Sequence, residues 1–246
     1  MDRCIAKTAV CGASAAEEQD WSAAILREPA AEPALRTWVY RRPAVILGCS
    51  ARPQAWQCER AAAAGVEFCV RQSGGGAVLA GPWLLGASVV LPPRHPLVAP
   101  GVAQSFRWLG LAHQAWLQSL GIAAHAVPAP VAPRDYALRW ACFGSLSHWE
   151  VAVGDRKIVG LAQARRRNGV LFCAGVLIAS PPWDVLCDVL DLPREQALVL
   201  AGRTASCAEI LGQPASAETL EPSLLRALSA AVEAAEATRM EMGEVE

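Results

Sequence analysis

The chain lacks the features that would direct it to a membrane, a metal or a nucleic acid. No apolar run in its 246 residues reaches the ~18 needed to cross a bilayer, and the longest, such as 84–91, are strand-sized. No charged segment followed by an apolar one opens the chain, so no secretory signal is expected. A net charge of −1 provides no electrostatic drive toward nucleic acid. Nine cysteines are scattered without a C-x-x-C pair, and no Cys/His pair has zinc-finger spacing. Neither a disulfide framework nor a metal site is therefore expected, and free thiols without a targeting segment point to a reducing cytoplasm. No Gly-Lys-Ser/Thr follows the glycines, which excludes a P-loop. There is no internal repeat and no clear linker. Hydrophobic residues make up 53% of the chain and mean hydropathy is +0.25, a surplus that is mostly alanine. The length suits one large domain, or one with a small appendage.

Two stretches stand out. The first, VEFCVRQSGGGAVL at 66–79, is an apolar run that ends in Arg71, Gln72, Ser73 and three glycines, Gly74, Gly75 and Gly76, before Ala77 opens a second apolar run. Three glycines in a row remove three Cβ atoms from one short piece of backbone, so that something thin can lie against the main chain. A flexible hairpin turn is the plainer alternative. The second stretch holds Lys157, which stands alone on an otherwise apolar strand, with Gly160 and Ala162 leaving room beside it. Its ammonium could bind a carboxylate, a carbonyl oxygen or a phosphate, or it could be a strand-end lysine that reaches water.

Periodicity predicts helices over 15–26, 54–64 and 102–120, the last with an apolar stripe of Val102, Phe106, Leu109, Trp116 and Leu120. Residues 36–47 read as strand, turn, strand with a break at Pro43, and 84–91 as a buried strand. Pro-rich loops cover 92–100 and 126–135, the second expected to act as a lid or binding loop. Strands over 149–153, 157–164 and 170–178 form a meander around turns at Gly154-Asp155-Arg156 and Asn168-Gly169. Helices follow over 183–190, 207–211 and 222–239. The first fourteen residues read as an irregular lead-in. Strands and helices mixed without βαβ alternation predict an α+β fold, a largely antiparallel sheet flanked by helices.

Together, R-x-S-G-G-G-A-V at 71–78 and G-x-R-K-I-x-G-x-A at 154–162 resemble the lipoate–protein ligase and octanoyltransferase family. The resemblance spans most of residues 15–180. It implies the fold of the biotin/lipoate ligase catalytic domain, and the attachment of a lipoyl or octanoyl group to one lysine of a lipoyl-carrier domain. Such carriers are the E2 subunits of 2-oxoacid dehydrogenases and the H protein of glycine cleavage. On this chain it implies that Gly74, Gly75 and Gly76 floor an acyl slot, with Ser73, Ala77, Gly160 and Ala162 beside the substrate. It makes Lys157 the contact to the acyl carboxyl or carbonyl, and Arg71 the arginine that precedes the glycines. Val70 stands where many members carry a second arginine. Residues 79–81 and Ala174 stand where many carry a histidine. A biotin ligase would carry a Gly-Arg-Gly-Arg type of loop instead.

Members of the family work in two ways. Ligases use ATP and Mg to form an acyl-adenylate. One transferase branch instead forms a thioester on a cysteine that precedes the lysine strand, in a Cys-Phe context. Cys142-Phe143 lies fifteen residues before Lys157 and resembles that arrangement. A thiol beside an ammonium carries more thiolate, which acyl-enzyme chemistry needs. The resemblance therefore leans to a Cys142 thioester, with an ATP-dependent ligase and a non-catalytic acyl-binding protein as alternatives. Cys173 on the neighbouring strand is the second candidate nucleophile. Arg165, Arg166 and Arg167 form a basic hairpin tip, either a solvated turn or a contact for acidic carrier domains or acyl-carrier protein. No nucleic-acid or membrane partner is expected. Residues 1–182 read as the catalytic domain, and 183–246 as a helical C-terminal appendage or a continuation of that domain.

Overall fold

A computed structural model describes residues 6–129 and 138–243. From position 130 onward, the Pro-rich loop expected over 126–135 lies outside the described residues. The chain begins with β1 (Ala6–Ala13), α1 (Ala15–Ile25), β2 (Ala34–Tyr40), β3 (Ala44–Leu47), α2 (Ala55–Ala63), β4 (Glu67–Val70), β5 (Val78–Ala80) and β6 (Leu84–Leu91). It continues with α3 (Val102–Ser105), α4 (Arg107–Ser119), β7 (His125–Ala126), β8 (Val151–Val153), β9 (Arg156–Arg166) and β10 (Gly169–Leu177). It closes with α5 (Trp183–Leu190), α6 (Glu195–Arg203), α7 (Cys207–Leu211) and α8 (Ala217–Gly243). A seven-stranded sheet runs β1-β2-β6-β10-β9-β8-β7, and a three-stranded sheet runs β4-β3-β5. The β1–β2 and β3–β4 pairs are parallel and the other pairs antiparallel. This is the α+β fold expected.

Strand β6 lies inside the large sheet and all eight of its residues are buried. Cover on both faces is why it reads as an unbroken apolar run instead of an alternation. On one face Leu85, Ala87, Val89 and Leu91 pack with Leu109, Trp116 and Leu117 of α4 and with Leu224, Leu228 and Val232 of α8. Each such side chain contributes about 1.5–3 kcal/mol by leaving water. On the other face Trp38, Tyr40 and Leu84 join Val45, Ile46 and Leu79 of the small sheet, with Ala61 of α2, Leu186 of α5 and Leu200 of α6. Polar groups pin α8 in place: Thr37 donates to the buried Glu221 carboxylate, and Trp116 Nε1 donates to Ser223 Oγ at 2.9 Å. Helix α1 opens on a capping box, in which Ser14 Oγ accepts from Glu17 N and Glu17 accepts from Ser14 N.

Three elements differ from expectation. The lead-in is a strand: β1 pairs with β2 from Ala6 opposite Ala34 to Ala13 opposite Tyr40. As an edge strand it is mostly exposed, so it carries no apolar alternation to read. The helix over 102–120 breaks at Phe106, and Val102 is 55% exposed, so the buried stripe begins after it. Helix α6 was not anticipated, because it sets Leu198, 77% exposed, between the buried Ala197 and Leu200 and blurs the helical period. Among the described residues no helix is long and apolar enough to cross a membrane.

Candidate active site

A cleft with about 500 Å³ of empty volume opens on the face of the large sheet that turns toward the small one. Its floor follows from strand register. Gly86, Gly175 and Gly160 stand directly opposite one another on β6, β10 and β9, and Ser88, Cys173 and Ala162 form the next row on the same face. On β10 and β9 these rows, Gly175 with Gly160 and Cys173 with Ala162, line the cleft, whereas Gly86 lies under the Tyr40 side chain. A Cβ at Gly160 would stand 3.3 Å from the Phe143 ring, and one at Gly86 would stand 2.6 Å from the Tyr40 hydroxyl. Glu18 and Gln19 of α1, Ile46, Arg71, Val78, Cys142 and Phe143 complete the lining. Gly160 and Ala162 are therefore cleft residues, as the sequence suggested. Gly175 was missed. Its signal was the small-residue pattern 173–175, which the Asn168-Gly169 turn brings opposite 160–162.

The glycine triplet does something other than floor this cleft. It is also not a hairpin turn, because β4 and β5 flank β3 and do not pair with each other. Arg71, 7% exposed, directs its guanidinium at its own loop. Nη2 donates to the carbonyls of Gly74 at 2.8 Å and Gly76 at 2.9 Å, Nε to Gly74 at 3.2 Å, and Nη1 to Ile46 at 3.3 Å. Gly75 has φ +103°, and its carbonyl occupies the space a Cβ on Gly48 would need. Cys49 N donates to Ser73 O at 2.9 Å. Ser73 is buried and its Oγ has no hydrogen-bond partner among the described residues. Ala77 N donates to Trp140 O at 2.6 Å, and Cys142 N donates to Ala77 O at 2.8 Å. A Cβ on Gly76 would stand 2.5 Å from Trp140 O and 2.8 Å from Cys142 N. The loop is thus clamped by Arg71 and in turn seats the segment that carries Cys142. Gly74 has open space around it.

Cys142 is half-buried and begins a 3-10 turn, Cys142–Gly144. Phe143 is buried with its ring 6.0 Å from that of Trp183, and Trp140 Nε1 donates to Gln196 Oε1 of α6 at 2.5 Å. Behind the turn lies Lys157, 2% exposed. Its Nζ reaches Cys142 O at 2.6 Å, Ser145 O at 3.1 Å and Glu150 Oε1 at 2.6 Å, and it lies 5.2 Å from the Phe143 ring centroid. The lysine is a buried ammonium under the thiol's own turn, not a strand-end group that reaches water.

The other titratable groups of the cleft stay in their neutral forms more readily than usual. Burial raises the pKa of Glu18, although Tyr40 donates to it at 2.7 Å and Ser88 at 3.4 Å. Burial, with Glu18 alongside, lifts the Tyr40 phenol well above its usual value. Burial pushes the Cys173 thiol up to about 12, with Glu18 adding to the effect. A thiol so held is a poor nucleophile near neutrality. At the hairpin tip, Arg165 bonds the carbonyls of Ala99 and Pro100 and the Ser105 hydroxyl, while Arg166 and Arg167 are exposed. Arg166 reaches Gln72 O at 3.4 Å, beside the glycine loop.

An apolar cleft with a thiol at its wall and a buried lysine behind that wall, on this pair of sheets, fits an acyl-handling enzyme of the lipoate-ligase type. The sequence model of the lipoyl protein ligase A/B catalytic domain matches residues 14–229, and the chain belongs to that family. The octanoyltransferase LipM of Moorella thermoacetica is 30% identical over 209 residues, 82% of this chain and 76% of that protein. That of Kyrpidia tusciae is 31% identical over 222 residues, covering 87% and 79%. Among solved structures, a lipoate protein ligase of T. acidophilum with bound lipoic acid superposes with a TM-score of 0.68 at 21% identity, covering 94% of this chain and 86% of that one. A lipoate-protein ligase A bound with ATP gives the same TM-score and coverage at 22% identity. At these identities the structures establish the fold.

Proposed function

We propose that the chain moves an octanoyl or lipoyl group to a lysine of a lipoyl-carrier domain through a thioester on Cys142. The observation that carries this reading is the seating of Cys142: a half-buried thiol at an apolar cleft, with its backbone held by Ala77 on one side and Lys157 on the other. The Cys142 thiolate attacks the acyl carbonyl of a donor thioester, and the donor thiol leaves with the proton. The acceptor amine then attacks the Cys142 thioester, which forms an amide and frees the thiol. The small floor around Gly160, Ala162 and Gly175 suits a thin chain. The octanoyltransferase relatives favour an octanoyl group as the one moved. Arg166 and Arg167 at the rim suit an acidic carrier, whether acyl-carrier protein, E2 lipoyl domain or H protein. A related archaeal ligase from Thermoplasma acidophilum was analysed together with its E2 lipoyl domain. A free-thiol nucleophile, and eight free cysteines among the described residues, fit a reducing cytoplasm. Helices α5 and α6 supply Trp183 and Gln196 to the turn that carries Cys142, so we take residues 183–246 to work as one unit with 1–182.

The alternative is a ligase that uses ATP and Mg to make an acyl-adenylate, which the fold also supports. Against it, Arg71 is already committed to the carbonyls of its own loop. Intact-protein mass spectrometry after mixing with octanoyl-acyl-carrier protein, without ATP, separates the readings. A hydroxylamine-labile octanoyl adduct on wild type and none on Cys142→Ala is the expected result. ATP-dependent modification of a lipoyl domain by both proteins would make this a ligase, and no modification by either would leave an acyl-binding protein.

A further inference from the structure

We propose that Glu150 is the positioning residue that keeps Lys157 a fixed ammonium behind Cys142 and thereby sets the reactivity of the Cys142 thiol. The proposal deepens the thioester reading and rests on it. Glu150 and Lys157 are both buried, with side-chain exposures of 3% and 2%. An ion pair taken out of water survives only when its remaining hydrogen-bonding positions are also filled. Here they are. Glu150 Oε1 accepts from Lys157 Nζ at 2.6 Å and Leu161 N at 3.1 Å, and Oε2 accepts from Ser147 N at 2.7 Å. The three N–H groups of the ammonium meet Glu150 and the carbonyls of Cys142 and Ser145.

The backbone is bent to deliver this carboxylate. Trp149, directly before it, has φ +64°, a conformation that a bulky residue adopts only where its surroundings impose it. The β8–β9 register slips between Val151 and Ala152. Gly110 of α4 accommodates the bend, because a Cβ there would collide with the Trp149 carbonyl oxygen. Strand β8 begins too late to pair with Leu161, and Glu150 takes up that N–H instead. A left-handed tryptophan, a register slip and a helix glycine therefore converge on one acid that the cleft itself does not use.

The chemistry follows from the charge. A fixed cation beside Cys142 favours the thiolate that attacks the donor. Without the carboxylate, this buried cation loses its counter-charge and one of its three oxygen partners. Arg156, next to Lys157 in the chain, turns away to Glu209 and does not replace Glu150.

The test compares wild type, Glu150→Gln and Glu150→Asp. Iodoacetamide labelling of Cys142, read by peptide mass mapping across a range of pH, is run beside the octanoyl-adduct assay. Thermal unfolding confirms that each variant is folded. Glu150→Gln is expected to label about tenfold more slowly at neutral pH, with its profile moved to higher pH. Glu150→Asp, which keeps the charge, should recover part of the rate, and it carries the test if the glutamine variant does not fold. Folded variants whose profiles superimpose on wild type would overturn the proposal, as would a wild-type Cys142 that never labels. A wild type that labels at Cys142 but takes no octanoyl group sinks the thioester reading alone, and the Glu150 comparison still decides its own question.

Discussion

Replacing Gly76 with alanine should do more damage than any other change in the glycine triplet. The added Cβ would stand 2.5 Å from Trp140 O, 2.7 Å from Ala141 C and 2.8 Å from Cys142 N. All three are backbone atoms, so no rotamer change relieves the contact. Ordinary separations are about 3.5 Å, so the two segments must part by roughly 1 Å. That breaks the bonds from Ala77 N to Trp140 O and from Cys142 N to Ala77 O. Overpacking costs about 1–3 kcal/mol and each lost hydrogen bond about 1 kcal/mol, for a total of about 3–5 kcal/mol. At about 2–4 °C per kcal/mol for a chain of this size, Tm should fall by roughly 6–20 °C. Gly74→Ala is the control. Nothing lies within 4 Å of its Cβ position and its φ is not positive, so the change should stay within about 0.5 kcal/mol. Thermal unfolding of both variants, with thiol labelling of Cys142, makes the comparison. Equal losses in the two, or an unchanged Tm for Gly76→Ala, would refute the view that this glycine exists to let two backbones meet.

Three further perturbations test other parts of the account. Gly175→Val puts methyl groups on the cleft floor, and the nearest atoms to its Cβ belong to the flexible Leu84 side chain, at 3.2 Å. Octanoyl transfer should fall about tenfold while butyryl transfer is largely spared, and equal loss of both would refute the placement of the acyl chain. Arg71→Met removes four hydrogen bonds to three carbonyls and should cost about 3 kcal/mol, or about 6–12 °C in Tm; an unchanged Tm in calorimetry would contradict the clamp. His113 is buried with Nδ1 on Leu109 O at 2.8 Å and Nε2 without a partner among the described residues, and burial lowers its pKa from 6.5 to about 4. The unfolded chain protonates first as pH falls, so about 3 kcal/mol of stability, complete above pH 6.5, should be lost between pH 6.5 and 4. His95 is shifted in the same direction. Denaturant melts of His113→Leu should show a shallower acid limb than wild type, and superimposed limbs would refute the assignment.

The elements that were legible in advance are those whose environment is uniform along the chain. Strand β6 is covered on both faces, and the meander β8–β10 announces its turns with Gly154-Asp155 and Asn168-Gly169, so each wrote its pattern into adjacent residues. Strand β1 and helix α6 did not, because one is an edge and the other mixes exposed and buried leucines. The site divides in the same way. Cys142, Lys157, Arg71 and the triplet lie in contiguous motifs and stand out as candidates from the sequence, yet what each touches was misjudged where it depends on a distant segment. That Gly76 abuts Trp140, or that Gly175 and Gly160 lie side by side on the floor of the cleft, follows from contacts between segments far apart in sequence or joined only by a turn. Glu150 carried no local mark at all; its meaning lies in the φ of the residue before it and in a glycine on α4.

The saturation of Lys157 has a bearing on self-modification. A catalyst that hands acyl groups to amines endangers its own amines, above all one beside the activated carbonyl. An ammonium whose three N–H bonds all end on oxygen has no lone pair to offer, so the nearest amine is chemically silent. The only other lysine of the chain, Lys7, lies on the edge strand β1, 3.6 Å from Glu233 of α8. Arginine supplies the rest of the positive charge, and a guanidinium does not compete as an acyl acceptor near neutral pH.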